Sequence, residues 1–282
     1  MASAQPGERA PGLGVSTLRV FDLSLTEMIW SRRSLFLALL VGGPVVLAVV
    51  TRLVWMMAPA STLRINGEAV SGPSIFGMMM WLLYLRFIVP VLGVFYGTAL
   101  IADEVEDRTL TYLFTRPIRR GAVLLGKYVA YLACTVLLIL PSVVVIFFLV
   151  VPLGGGSIGA TFPALLWDLA MLVAGLAAYG AVFALVGARI KRPLVAGLVF
   201  ALGWEPGVLM FPGYLKRLTV VYYLQALVPQ AMPQDSTTSV LMQLFQEVPG
   251  VAVSLVALTA ITAAALWLAT GAVESREYVL EQ

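Results

Sequence analysis

Six stretches of this 282-residue chain are apolar for long enough to cross a bilayer: 34–56, 75–101, 121–151, 161–188, 194–212 and 249–271. A hydrocarbon core is roughly 30 Å thick and a helix rises about 1.5 Å per residue, so about 20 apolar residues make one span. The runs are continuously apolar rather than alternating, which argues against the strands of a membrane barrel. Pro141 lies near the middle of the third run and predicts a kink, because proline has no backbone N–H to donate. The fifth run is the shortest and carries Trp204-Glu205-Pro206-Gly207. Apolar residues are 60% of the chain and charged residues 12%, against roughly 25% charged in a soluble domain. So few charges do not build a water-facing surface, which excludes a soluble enzyme, a nucleic-acid-binding domain and a disordered tail protein. There is no histidine and one cysteine, Cys134. That removes histidine general bases, histidine-ligated metals, a disulfide framework and a cysteine zinc site.

The net charge of +3 reads as membrane topology. Lys and Arg collect on the cytoplasmic side of a bilayer. With both termini inside, the inner segments hold Arg9, Arg19, Arg32, Arg33, Arg108, Arg116, Arg119, Arg120, Lys127, Arg189, Lys191, Arg192 and Arg276, which is 13. The outer segments hold Arg52, Arg64, Lys216 and Arg217, which is 4. This bias predicts a multi-pass protein of the plasma, or bacterial inner, membrane with both termini cytoplasmic and an even number of spans. Ser31-Arg32-Arg33 ahead of the first run resembles a twin-arginine export signal, with Ala58-Pro59-Ala60 as a cleavage site. The run is too long for a signal core of about 7–15 residues, so the two arginines are read as an anchor instead.

Two regions follow from this. Residues 1–33 comprise a Pro/Gly/Ala-rich tail and a helix at 17–33 with Leu18, Phe21, Leu25, Met28 and Ile29 on one face, suited to lie on the inner leaflet. Residues 34–282 form the transmembrane domain. Its largest outer segment is 213–248. Leu215 to Val228 carries Tyr222 and Tyr223, and Asp235-Ser236-Thr237 offers an N-cap before Val240, Leu241, Leu244 and Phe245. Two short helices dipping towards the membrane, or a plain surface loop, both fit.

The inner segment between the second and third runs is the most informative. Asp103, Glu104, Glu106 and Asp107 open it, and Arg116, Arg119 and Arg120 close it, which suits a helix dipole. Pro117 stops the helix. Leu110, Leu113 and Phe114 form an apolar patch at i, i+3 and i+4. A short charged helix with such a patch is suited to dock in a groove of a soluble partner; an ordinary solvated loop is the alternative.

The stretch from Glu104 to Lys127 resembles the signature of ABC-2 type transporter permeases. It has Glu104 and Glu106, Thr109-Leu110, Arg116-Pro117, Arg119-Arg120 and Gly126-Lys127. Arg108 departs from the pattern, where many members have glycine. The resemblance implies an all-α, polytopic subunit with six transmembrane helices, the ABC-2 (type V exporter-like) permease fold, working as a homodimer. It implies that about 103–116 is a coupling helix, seated in a cleft of a cytoplasmic ABC ATPase subunit present in two copies. Glu104, Glu106, Arg108, Thr109, Leu110, Leu113, Phe114 and Arg116 would make that contact. This chain would bind no cofactor; the partner ATPase would bind ATP and Mg. The implied function is the non-catalytic permease subunit of an exporter. One branch of the family serves metalloenzyme maturation and transmits force instead. An ion-coupled secondary transporter is the reading from another class, disfavoured by the few membrane acids and the absence of histidine relays and inverted repeats. A membrane anchor without transport is a third.

Gly121 to Lys127 fits the first positions of a phosphate-binding loop. The motif needs a preceding strand and Ser or Thr after the lysine; here Tyr128 follows, and an apolar run begins. Lys127 instead suits an inner interface. Ionisable residues inside spans are functional candidates by default. Arg86 and Glu205 lie about 16 and about 12 residues from the inner ends of their runs, or roughly 24 and 18 Å. These depths predict an Arg86–Glu205 pair, structural or gating. Asp168 falls near the outer end of the fourth run, within reach of water. Gly93-x-x-x-Gly97 and Gly203-x-x-x-Gly207 permit close helix contact, within the subunit or across a dimer. Met78, Met79 and Met80 read as lipid-facing or core side chains rather than a metal path.

Overall fold

The computed structural model describes residues 32–57, 64–65, 68–69, 71–100, 120–209, 214–227 and 249–275. The expected interfacial helix at 17–33, the coupling segment 103–116 and the second outer helix after Asp235 lie outside these residues, all but the last two residues of the first.

Among the described residues five helices are long and apolar enough to span a membrane: α1 (Arg32–Met57), α2 (Gly72–Gly97), α3 (Arg120–Val150), α4 (Ile158–Arg189) and, last in the chain, α7 (Val251–Ser275). Among the described residues the fold is all-α apart from one two-residue antiparallel ladder, β1 (Arg64–Ile65) with β2 (Glu68–Ala69). The fifth apolar run forms a shorter helix, α5 (Pro193–Val208). Its start has a local reason. Pro193 sits at N1, where its missing N–H is not needed, and sets the start. Beyond α5, Tyr214–Leu218 forms a 3-10 turn and the chain enters the short helix α6 (Val220–Gln225). Pro141 does not end α3, which is helical on both sides of it.

Two prolines reshape the helices they sit in. In α2 the Val89 N–H bonds the Tyr84 carbonyl, five residues back, immediately before Pro90. In α5 the Glu205 N–H bonds the Phe200 carbonyl, again five back, immediately before Pro206. A proline ring clashes with the carbonyl four residues earlier in a regular α-helix. Winding the preceding turn more widely, as a π segment, relieves that clash and displaces the following side chains around the axis.

Helix α4 is the centre of the packing, set against α7, α3 and α2, while α1 lies on α3. Small residues allow these approaches. A Cβ on Gly93 would stand 2.8 Å from Tyr179 Cβ, and one on Gly97 2.9 Å from Phe183 Cβ, so the first glycine pair packs α2 onto α4 within the subunit. A Cβ on Gly203 or Gly207 would meet nothing within 4 Å. Tyrosine hydroxyls tie the helices: Tyr128 donates to the Ala177 carbonyl at 2.8 Å and Tyr131 to the Leu176 carbonyl at 3.1 Å, and Tyr84 shares a hydrogen bond with Ser142 at 2.8 Å. Arg52, near the end of α1, donates from Nη1 to the Leu149 carbonyl at 3.0 Å, placing a cation on the C-terminal turn of α3.

A close backbone approach between α2 and α4 gives a direct test. A Cβ on Gly187 would lie 2.4 Å from the Thr98 carbonyl oxygen, a main-chain atom with no rotamer to yield. Gly187→Ala is expected to destabilise the protein by about 1–3 kcal/mol. The midpoint of thermal unfolding in detergent should fall; an unchanged midpoint would contradict the packing of α2 on α4.

Candidate functional site

Glu205 is buried, 3% exposed, at the turn of α5 that follows the π segment. Both of its carboxylate oxygens are used. Oε1 accepts from the Val220 N–H at 3.0 Å, and Oε2 accepts from the Val221 N–H at 3.1 Å and from the Tyr179 hydroxyl at 2.7 Å. Val220 and Val221 are the first two residues of α6, whose amides have no partner inside the helix. The residue before them, Thr219, is extended and is of a type that often caps with its own side chain. Its hydroxyl instead donates to the Lys216 carbonyl at 2.7 Å, closing the preceding turn. A carboxylate fifteen residues earlier in the chain therefore caps α6. An anion at a helix N-terminus is favourable on its own account, and hydrogen bonds to a charged group are stronger than neutral ones.

The other end of α6 is also held. The Trp167 indole donates from Nε1 to the Leu227 carbonyl at 2.6 Å, just past the last turn. Between the two ties, Val220, Val221, Tyr222 and Leu224 are buried, and α6 packs against α2, α4 and α7. Leu224 fills the notch left by Gly175 of α4, where a Cβ would lie 3.2 Å from Leu224 Cδ1 and 3.4 Å from Val89 Cγ1. Thus α6 is a wedge between spans, at the end of the bundle that holds Arg52. Both of its ends are fastened to α4: one through Tyr179 and Glu205, the other through Trp167. Displacing α4 relative to α5 must strain or carry this wedge.

The sequence profile of ABC-2 family transporter proteins matches residues 23–275. The chain belongs to the ABC-2 transporter family. No curated protein matches it. This ABC-2 protein is thus an integral membrane permease component of an ABC transporter, of a kind that associates with an ABC ATPase subunit.

Within the permease the expected Arg86–Glu205 pair is not formed. Arg86 lies over the Trp81 ring, 5.0 Å from its centroid, as a cation–π contact, while Glu205 takes its hydrogen bonds from Tyr179 and the start of α6. Equal depth along two helices does not put two side chains on facing sides, and the π segment before Glu205 turns that residue towards α4 and α6. Asp168 is placed beside Trp167 on α4 and is 3% exposed, so burial replaces the expected access to water. Glu104, Glu106, Arg108, Thr109, Leu110, Leu113, Phe114 and Arg116 lie outside the described residues. Tyr179 and Trp167 were not singled out from the sequence. Their signal was available: a tyrosine or tryptophan inside an apolar run carries a polar tip that must find a partner.

The separation of Arg86 from Glu205 has a measurable consequence. Arg86→Ala and Glu205→Ala are expected to destabilise additively, to within about 0.5 kcal/mol. A coupling well above that in a double-mutant cycle would restore the ion pair.

Proposed function

We propose that this permease is the export subunit of an ABC transporter of the plasma membrane, working as a homodimer with both termini in the cytoplasm. Two cytoplasmic ABC ATPase subunits bind ATP and Mg and drive it through the segment 103–116. The observation that carries this reading is the family match over 23–275, which includes that segment. The packing of the spans that flank it in sequence is in keeping. Before it in the chain Thr98, just past α2, is pressed against Gly187 of α4, and after it α3 begins at Arg120. A push on it therefore reaches two spans that are already in contact with the central helix. Lys127, Arg189, Lys191 and Arg192 lie at the same end of the bundle, as a cytoplasmic face requires. At the opposite end the capped wedge α6 stands where an exit would open, and its ties to α4 link it to movement of that helix.

The open side of α5 supports the dimer. Gly203 and Gly207 face no neighbour among the described residues, and Val195, Val199 and Leu202 beside them are 58, 66 and 50% exposed. Small residues flanked by apolar side chains let a second helix approach closely in a bilayer.

Orientation is testable by thiol labelling. A cysteine introduced by Thr109→Cys should react with a membrane-impermeant maleimide only after the cytoplasmic face is opened. The native Cys134 is 2% exposed and should stay silent. Labelling of Thr109→Cys in intact cells would place the coupling segment outside and end the proposal.

A further inference from the structure

Arg86 is the only charged residue of α2 and stands near its middle, roughly 21 Å along the axis from Gly72 and roughly 16 Å from Gly97. That is too far from either end for the side chain to reach a headgroup layer by leaning along the helix. It falls inside the π segment Met80–Ile88. Residues five apart are about 140° apart around a regular helix. The i→i+5 winding of a π segment brings them close to one line. This winding lays the Arg86 guanidinium over the Trp81 ring. A guanidinium stacked on a ring keeps its planar fork of N–H donors at its edge, directed past the ring. Among the described residues that edge meets no carboxylate.

The surroundings of the stacked pair open outwards. Arg86 and Trp81 are half-buried, while Met78, Leu82 and Phe87 on the same helix are 49, 44 and 46% exposed. A cation at this depth is costly against lipid tails; such residues face a water-filled cavity or another protein surface. On the export reading, on which this inference rests, a second copy of the chain forms the other wall of that cavity. Helix α5, whose open side supports the dimer, is packed beside α2: a Cβ on Gly197 would lie 3.0 Å from Val94 Cγ1.

We propose that Arg86, positioned by Trp81, binds the anionic group of the exported cargo, and that the cargo is an anionic amphiphile. The guanidinium edge matches a carboxylate or a phosphate with two parallel N–H bonds. Met78, Leu82 and Phe87 cover an apolar body beside it. A homodimer brings a second Arg86 to the same cavity, which strengthens the preference for an anion. A resident bilayer lipid keeps its headgroup about 15 Å from the midplane, so it does not occupy this site.

The test uses the purified permease in neutral nanodiscs with a fluorescent anionic amphiphile, 11-(dansylamino)undecanoate, and its methyl ester as the neutral twin. Each probe is scored as variant against unaltered protein, which cancels partition into lipid. Arg86→Gln should weaken the carboxylate about tenfold, the scale of one charge-assisted hydrogen bond pair, and leave the ester unchanged. Arg86→Lys should recover part of the loss, and Trp81→Ala should weaken the carboxylate about threefold, through lost positioning. Dodecyl phosphate should displace the carboxylate probe; dodecanol and dodecyltrimethylammonium should not. Equal loss of both probes in Arg86→Gln, no loss of either, or displacement by the alcohol as well as by the phosphate would each overturn the proposal. So would displacement by an anionic diacyl phospholipid added to the nanodisc, which would make the site a lipid site. Failure of the export reading shows elsewhere, as a chain recovered from cells without an ATPase.

Discussion

Replacing Glu205 with alanine is expected to destabilise the permease by about 3–5 kcal/mol and to abolish transport. Three buried donors lose their acceptor at once: the Val220 and Val221 amides and the Tyr179 hydroxyl. A buried donor left without a partner costs about 1–3 kcal/mol. The favourable term between the anion and the start of α6 goes with it. Glu205→Gln should be intermediate, at about 1–3 kcal/mol, because one amide oxygen remains while the new NH2 faces donors. Tyr179→Phe should be milder, at about 1–2 kcal/mol, since the carboxylate keeps both α6 amides. Thermal unfolding of the purified variants gives the stability order, and limited proteolysis within 214–227 reports whether α6 has come loose. A Glu205→Ala variant that unfolds with the unaltered protein and resists protease as well would show that the carboxylate does not fasten this helix.

The second large effect is expected in the coupling segment. Leu113→Asp should reduce association with the ATPase more than a hundredfold, about 3 kcal/mol, and leave membrane insertion intact. Leu110, Leu113 and Phe114 form the apolar face by which the proposed helix would enter a groove. A carboxylate at the middle position would be buried without a partner, whereas Leu113→Met keeps volume and polarity and should bind normally. Co-purification with a tagged ATPase, alongside membrane fractionation, separates loss of docking from loss of the protein. Normal recovery of the ATPase by Leu113→Asp would remove this segment from the coupling mechanism.

The spans were legible because burial in lipid leaves a one-dimensional mark, an apolar run of fixed length. That mark placed α1 to α4 and α7 to within a few residues. At α5 the run passes through Glu205-Pro206-Gly207, and the described part of the helix is too short to be counted with the other five. The failure over Arg86 has a related cause. Depth can be counted along a run, but the direction a side chain faces depends on unbroken winding. The π segment before Pro206 inserts about one residue, worth roughly 100° of rotation, between the start of α5 and Glu205. A regular helical wheel is therefore wrong for the one residue that mattered most. The two glycine pairs, equal in sequence, make the same point: Gly93 and Gly97 are pressed onto Tyr179 and Phe183, while Gly203 and Gly207 meet no neighbour among the described residues.

Composition and hydropathy by themselves determined that this is an all-helical membrane protein, and one short signature after the second run placed it with the ABC-2 permeases. Those properties belong to contiguous residues: solvation acts on each segment separately, and a motif is read along the chain. Only the tertiary structure decided that Glu205 caps α6 and that Trp167 closes its other end. Each of these contacts depends on the rotation and approach of different helices, which are set by close packing across the bundle and leave no period in the sequence.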